Sequence, residues 1–171
     1  MLNKRRLSAP LWLVVLALSL TGCGYHLVRE EGIRGGDVKV VDIPLFKNQS
    51  FEPHTPAIFT EALTRELVAS GFFQINQPNP DSTLQGVISR VQTSPSSLAT
   101  TGFVVEKTVT VDVNLILTKS TGQVLRRWHF TESEAFRADD VNLQDFNKRE
   151  AFRRIANRMA RRFSALVLAE Y

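Results

Sequence analysis

Phe103-Val104-Val105-Glu106-Lys107-Thr108-Val109-Thr110-Val111-Asp112-Val113-Asn114-Leu115-Ile116-Leu117 is the stretch on which the fold turns. Its odd positions are Phe103, Val105, Lys107, Val109, Val111, Val113, Leu115 and Leu117, and all but Lys107 are apolar. Its even positions include Glu106, Thr108, Thr110, Asp112 and Asn114. A period of two predicts a strand with one buried face and one that is wet or turned to a partner. At roughly 3.3 Å per residue it would be about 45–50 Å long, so one end is expected to project beyond the sheet. Lys107 is expected at that projecting end, with its ammonium reaching water.

Lys119-Ser120-Thr121-Gly122 then reads as a tight hairpin turn. Val124 to Glu132 returns as a strand, with Val124, Trp128 and Phe130 on one side and Arg127 and His129 on the other. Upstream, Leu84 to Gln92 reads as a strand in which Gly86 suggests a bulge. The uncharged run Ser94 to Gly102 reads as a flexible loop. Further back, Val38 to Ile43 is a short β-run stopped by Pro44, followed by a polar loop from Phe46 to Phe51.

Two helices complete the pattern. Thr55-Pro56 predicts a helix start, with Thr55 as the cap and Pro56 in the first turn, and Gly71 predicts its end. Ile58, Phe59, Ala62, Leu63 and Leu67 share one face. Phe72 to Ile75 is a brief extended stretch, broken at Pro78-Asn79-Pro80-Asp81. A polar link from Ala135 to Asp140 leads into a long helix from about Asn142. Its apolar stripe is Phe152, Ile155, Ala156, Met159, Phe163, Leu166 and Val167. Arg153, Arg154, Arg158, Arg161 and Arg162 occupy the opposite face, open to lipid phosphates, to solvent or to acidic groups of a partner. The order is β-α-β-β-β-α. It predicts an α+β two-layer sandwich, with two helices packed on one face of a four-stranded mixed sheet.

The N-terminal segment carries a different signal. Lys4, Arg5 and Arg6 precede an apolar run from Leu11 to Leu20, too short for a membrane span of roughly 20 residues. This reads as a secretion signal. Leu20-Thr21-Gly22-Cys23 at its end resembles the lipobox of bacterial lipoproteins, and Cys23 is the single cysteine. That resemblance implies a signal peptide over 1–22, cut before Cys23, and an S-diacylglyceryl, N-acyl lipid on Cys23. A linker over 23–36 would tether a single domain over 37–171.

The whole chain holds 21 Lys+Arg and 17 Asp+Glu. The three bases of the signal account for most of that excess, leaving 18 basic against 17 acidic residues after cleavage. The balance gives no argument for nucleic acid. His26, His54 and His129 are scattered without zinc spacing, so neither a metal nor a cofactor is expected beyond the covalent lipid. Asp139-Asp140 could serve as paired carboxylates, but no nucleophile accompanies them, and they are better placed to cap the following helix. No catalytic residue is assigned.

Cys23-Gly24-Tyr25-His26-Leu27, together with this layout of strands and helices, resembles the LptE-like family of lipopolysaccharide-assembly lipoproteins. The resemblance implies a non-enzymatic α/β sandwich anchored in the outer membrane and facing the periplasm. Its implied partner is the outer-membrane β-barrel LptD, which it plugs and helps to assemble while contacting lipopolysaccharide. The resemblance also implies that basic residues at one end of the domain, including a loop before the long strand, meet lipopolysaccharide. Here Ser94 to Gly102 has no Lys or Arg, and Arg90, Lys107 and Arg137 are the candidate contacts. Two other readings stand beside this one: a scaffold or pilot lipoprotein for another outer-membrane channel, and a periplasmic enzyme acting on envelope glycan. Gly24, rather than Asp, follows the cysteine, which favours outer-membrane sorting. Cys23→Ser is expected to abolish incorporation of radiolabelled palmitate in cells, and continued labelling would refute the lipid anchor.

Overall fold

The computed structural model describes residues 38–100 and 102–169, with side chains through Val167. The expected signal, Cys23 and the linker over 23–36 lie outside the described residues. The elements are β1 (Val40–Asp42), β2 (Lys47–Asn48), α1 (Thr55–Ser70), β3 (Gln74–Ile75), β4 (Ser82–Leu98), β5 (Val104–Lys119), β6 (Val124–Arg137) and α2 (Val141–Ala169).

The strand order is β3-β1-β4-β5-β6, with β2 also paired to β4. β1 and β2 run parallel to β4 and take successive parts of one edge of it: Val41 lies opposite Ser82, and Lys47 opposite Val87. The antiparallel meander β4-β5-β6 forms the rest of the sheet. The expected α+β class holds, and the mixed sheet is larger than four strands by β2 and β3. Each of these is two residues long, too short to show a period in the sequence.

Pairing with β5 decides how far its neighbours extend. β4 continues through Ser94-Pro95-Ser96-Ser97 to Leu98, a run whose composition reads as loop. Pro95 is tolerated there because β5 pairs only one side of β4 at that point, so the missing N–H costs no ladder bond. β6 likewise runs past Glu132 to Arg137. Lys107 consequently lies inside the sheet, with Pro95 and Phe136 as its neighbours in register, rather than beyond its end.

The bulge in β4 falls at Ser89, not at Gly86. The register passes from Ile88 opposite Val113 to Arg90 opposite Asp112. One extra residue inverts the alternation. Leu84, Gly86 and Ile88 face the helices before it, and Val91 packs on the core after it, while Arg90 turns to the helix-free face. Gly86 serves close packing instead. A Cβ there would stand 2.4 Å from ring atoms of Phe46. The buried Phe46 ring therefore rests directly on the strand, 6.5 Å from the ring of Phe59 on α1.

The helices cover one face together. Pro56 occupies the first turn of α1, and Gly71 ends it at φ 70°, donating its N–H to Val68 O over 3.3 Å. Thr55 is not the cap. His54 holds that position, and the Thr55 hydroxyl instead donates to Glu52 O over 2.8 Å. Glu52, just before α1, pairs with Lys148 near the start of α2, and Arg65 reaches Asn157 over 3.3 Å, so the helices run parallel. Ile155, Met159 and Phe163 of α2 are fully buried, and Phe163 meets Trp128 edge-on at 4.9 Å. Leu166 falls outside the stripe expected of it and is 42% exposed. Gly86→Val should lower the urea midpoint, through a loss of about 1–3 kcal/mol from overpacking against Phe46, with the fold retained by circular dichroism.

Candidate functional site

The arginines of α2 are matched to β6. Phe130, Glu132, Glu134 and Phe136 alternate on the helix-facing side of that strand, so two carboxylates stand in line beneath α2. Arg154, Arg158 and Arg162 recur every four residues along the facing side of the helix. Arg154 Nε meets Glu134 Oε1 at 2.7 Å. Arg158 bridges both acids, with Nε to Glu132 Oε2 at 2.8 Å and Nη1 to Glu134 Oε2 at 3.0 Å. Arg162 pairs with Glu132. Arg153 pairs within the helix with Glu150. Most of the arginine face is thus engaged inside the domain rather than offered to a ligand.

Burial works against ionisation of Glu132, but the hydrogen bonds from Arg158 and Arg162 outweigh it and hold the carboxyl below its ordinary value of 4.5. Glu134 shows the same balance, with Arg154 and Arg158 as its partners. The same seam orders the edge of the sheet. Arg158 Nη2 donates to Ser133 O over 2.7 Å, Arg154 Nη2 to Ala135 O over 3.3 Å, and Asn147 Nδ2 to Arg137 O over 3.1 Å.

The opposite face of the meander carries no helix and is polar. His129 Nδ1 lies 2.9 Å from Asn114 Oδ1, and Thr131 donates its hydroxyl proton to Asp112 Oδ1 over 2.7 Å. Thr110 and Ser133 hydroxyls meet at 2.8 Å. Arg90 stands on this face beside Asp112, with its Nη2 on Gln92 Oε1. Arg137 stands on it beside Glu106 and is paired with Asp139. Those two registers are six residues apart on β5, on the order of 20 Å. Lys107 is on the helix-covered face, so the three candidate contacts do not converge on one site. Asp139 and Asp140 have local roles: Asp140 Oδ1 accepts the Asn142 N–H over 2.8 Å in the first turn of α2.

Glu132 and Glu134 are the functional-looking residues that sequence reasoning missed. The signal was present as Glu-x-Glu between two same-face phenylalanines, matched by three arginines at a spacing of four. It became readable only once β6 was known to extend past Glu132.

The site contains matched ion pairs, a polar sheet face and a partly sealed edge on a domain of the helix-on-sheet class. A family model described as LptE, lipopolysaccharide-assembly, matches residues 38–165, and the chain belongs to that non-enzymatic lipoprotein family. No curated protein matches the sequence significantly. Among solved structures, the fold is similar to that of a minor lipoprotein from Acinetobacter baumannii. The two are 14% identical over 77% of this chain and 92% of the other, with a TM-score of 0.55. A Xanthomonas campestris protein shares the fold at 13% identity, over 78% of this chain and 85% of its own, with a TM-score of 0.54. Among the described residues, no helix is long and apolar enough to cross a membrane.

Because the folded-state values of Glu132 and Glu134 are depressed, their contribution to stability is full above the ordinary glutamate range. It is lost as pH falls through the lowered values. The thermal midpoint should therefore drop on acidification below about pH 4.3, and the Glu132→Gln/Glu134→Gln double variant should show a shallower drop. At pH 7, Glu132→Gln alone should cost about 1–2 kcal/mol in urea denaturation, since Arg162 loses its charged partner and Arg158 keeps only Glu134, while both guanidiniums retain access to water.

Proposed function

We propose that this chain is an outer-membrane lipoprotein, held by acyl groups on Cys23, that sits as a periplasm-facing plug in the LptD barrel. There it assists barrel assembly and contacts lipopolysaccharide during export. The observation that carries this reading is the family match across residues 38–165, which takes in α1, the whole sheet and most of α2. The signal-and-lipobox pattern ending at Cys23 supports the anchor.

The structure bears on how such a plug would hold its partner. The helix-covered side is closed by packing and by the arginine–glutamate seam. The helix-free face presents hydroxyl, amide and imidazole groups along its length. A polar face of this kind suits the wet interior of a barrel better than contact with acyl chains. Arg90 and Arg137 offer guanidiniums to lipopolysaccharide phosphates on that face. Arg137 would have to exchange Asp139 for a phosphate to do so. Lys107 offers an ammonium on the other side of the sheet.

Affinity purification of the tagged, full-length protein from detergent-solubilised membranes tests the reading. LptD is expected in about equimolar amount, with lipopolysaccharide retained and reduced by Arg90→Ala/Arg137→Ala. Purification with another channel, or with no barrel, would refute the plug.

A further inference from the structure

The outer edge of β6 is sealed over only half its length. In an antiparallel pair the backbone groups of successive residues point alternately to the neighbouring strand and away from it. Ala138 donates its N–H to Val105 O over 3.0 Å, which fixes the even-numbered residues of β6 toward β5. The odd-numbered residues point outward. At Ser133, Ala135 and Arg137 the outward carbonyls are taken by Arg158, Arg154 and Asn147 of α2. At Arg127, His129 and Thr131 no such bond is made among the described residues, and all three are exposed.

An unprotected edge is a template for another strand, and proteins usually blunt it. The other long edge in this sheet is blunted. β4 beyond Ile88 carries Pro95 and register shifts on both sides of it. The window in β6 has no proline, and its register stays continuous from Arg126 through Arg137.

We infer that Arg127, His129 and Thr131 form a docking edge for an extended acidic strand of a partner protein. Charge selects this occupant. Arg127 stands on the helix-free side of the window, and Val124 to Thr131 contains no acidic residue. A second copy of this chain, paired antiparallel about Trp128, would set Arg127 against His129 and bring it no carboxylate. A register shifted toward the acidic half would require the carbonyls of Ser133 and Ala135, which α2 already occupies. A strand bearing Asp or Glu on the helix-free side would meet the Arg127 guanidinium and complete the ladder along Arg127, His129 and Thr131. A closed barrel wall has no spare edge, so the strand would come from a segment outside such a wall. The inference goes beyond the proposed function and does not depend on it.

The test uses the full-length protein in detergent and a fluorescein-labelled ten-residue peptide of alternating Glu and Val. A Lys/Val peptide serves as its counterpart. Fluorescence anisotropy should show the acidic peptide bound at least ten-fold more tightly. Hydrogen exchange should slow at the Arg127, His129 and Thr131 amides on binding. His129→Pro removes an outward N–H without breaking the β5 ladder, and should weaken binding at least ten-fold with circular dichroism unchanged. Arg127→Glu should do the same, and decides the matter if the proline variant does not fold. Absence of binding, binding without protection of those amides, or binding untouched by either variant would overturn the inference. Protection that grows with protein concentration in the absence of peptide would overturn it in favour of a second copy.

Discussion

The odd-numbered side chains of β5 from Val109 to Leu117 must all be buried under the helices while both edges of the strand are paired. Each is at most 2% exposed. A slip of one residue would exchange that row for Thr110, Asp112, Asn114, Ile116 and Thr118, so register is strongly fixed. β4 and β6 inherit their length and facing from this strand. The bulge at Ser89 follows from the same constraint. It lets β4 switch parity, so that Val91 stays on the core and Arg90 leaves it.

The α2–β6 seam is the second consequence. β6 is the last strand of the sheet, and α2 lies over its side, where water still reaches the longer side chains. A charged pair at such a place keeps part of its hydration, so the arrangement avoids the full desolvation cost of a buried ion pair. Glu132 is the most enclosed member, with a side chain 9% exposed, and it has two guanidiniums. The same arginines seal the nearby carbonyls, which couples helix docking to edge protection. Where the seam ends, the edge opens.

Most of the architecture was legible from local pattern. The period of β5, the hairpin at Thr121-Gly122, and the helices ending at Gly71 and starting near Asn142 all follow from short-range signals. Loop-like composition misled at Ser94 to Leu98, where pairing with β5 overrides the preferences of serine and proline. In the sequence alone Gly86 suggests a bulge, because a glycine in a strand has two common causes. Only the position of Phe46, forty residues earlier, distinguishes close packing from a bulge. Arg90 and Lys107 flank one loop in the sequence and Arg137 lies in the next connection, but strand parity distributes the three over two faces.

The sequence by itself determined the class of the fold, because hydrophobic periodicity is set by which face each residue must bury, and that is a local property. It also carried the lipobox-like run at Cys23 and the charge of each segment. Only the tertiary structure decided what those charges do. Whether an arginine on α2 meets a phosphate, water or a glutamate depends on which strand lies beneath it, and on how far that strand extends. Those distances are fixed by packing between elements far apart in the chain. The open window at Arg127, His129 and Thr131 belongs to the same category, since a free backbone edge is defined by the neighbour it lacks.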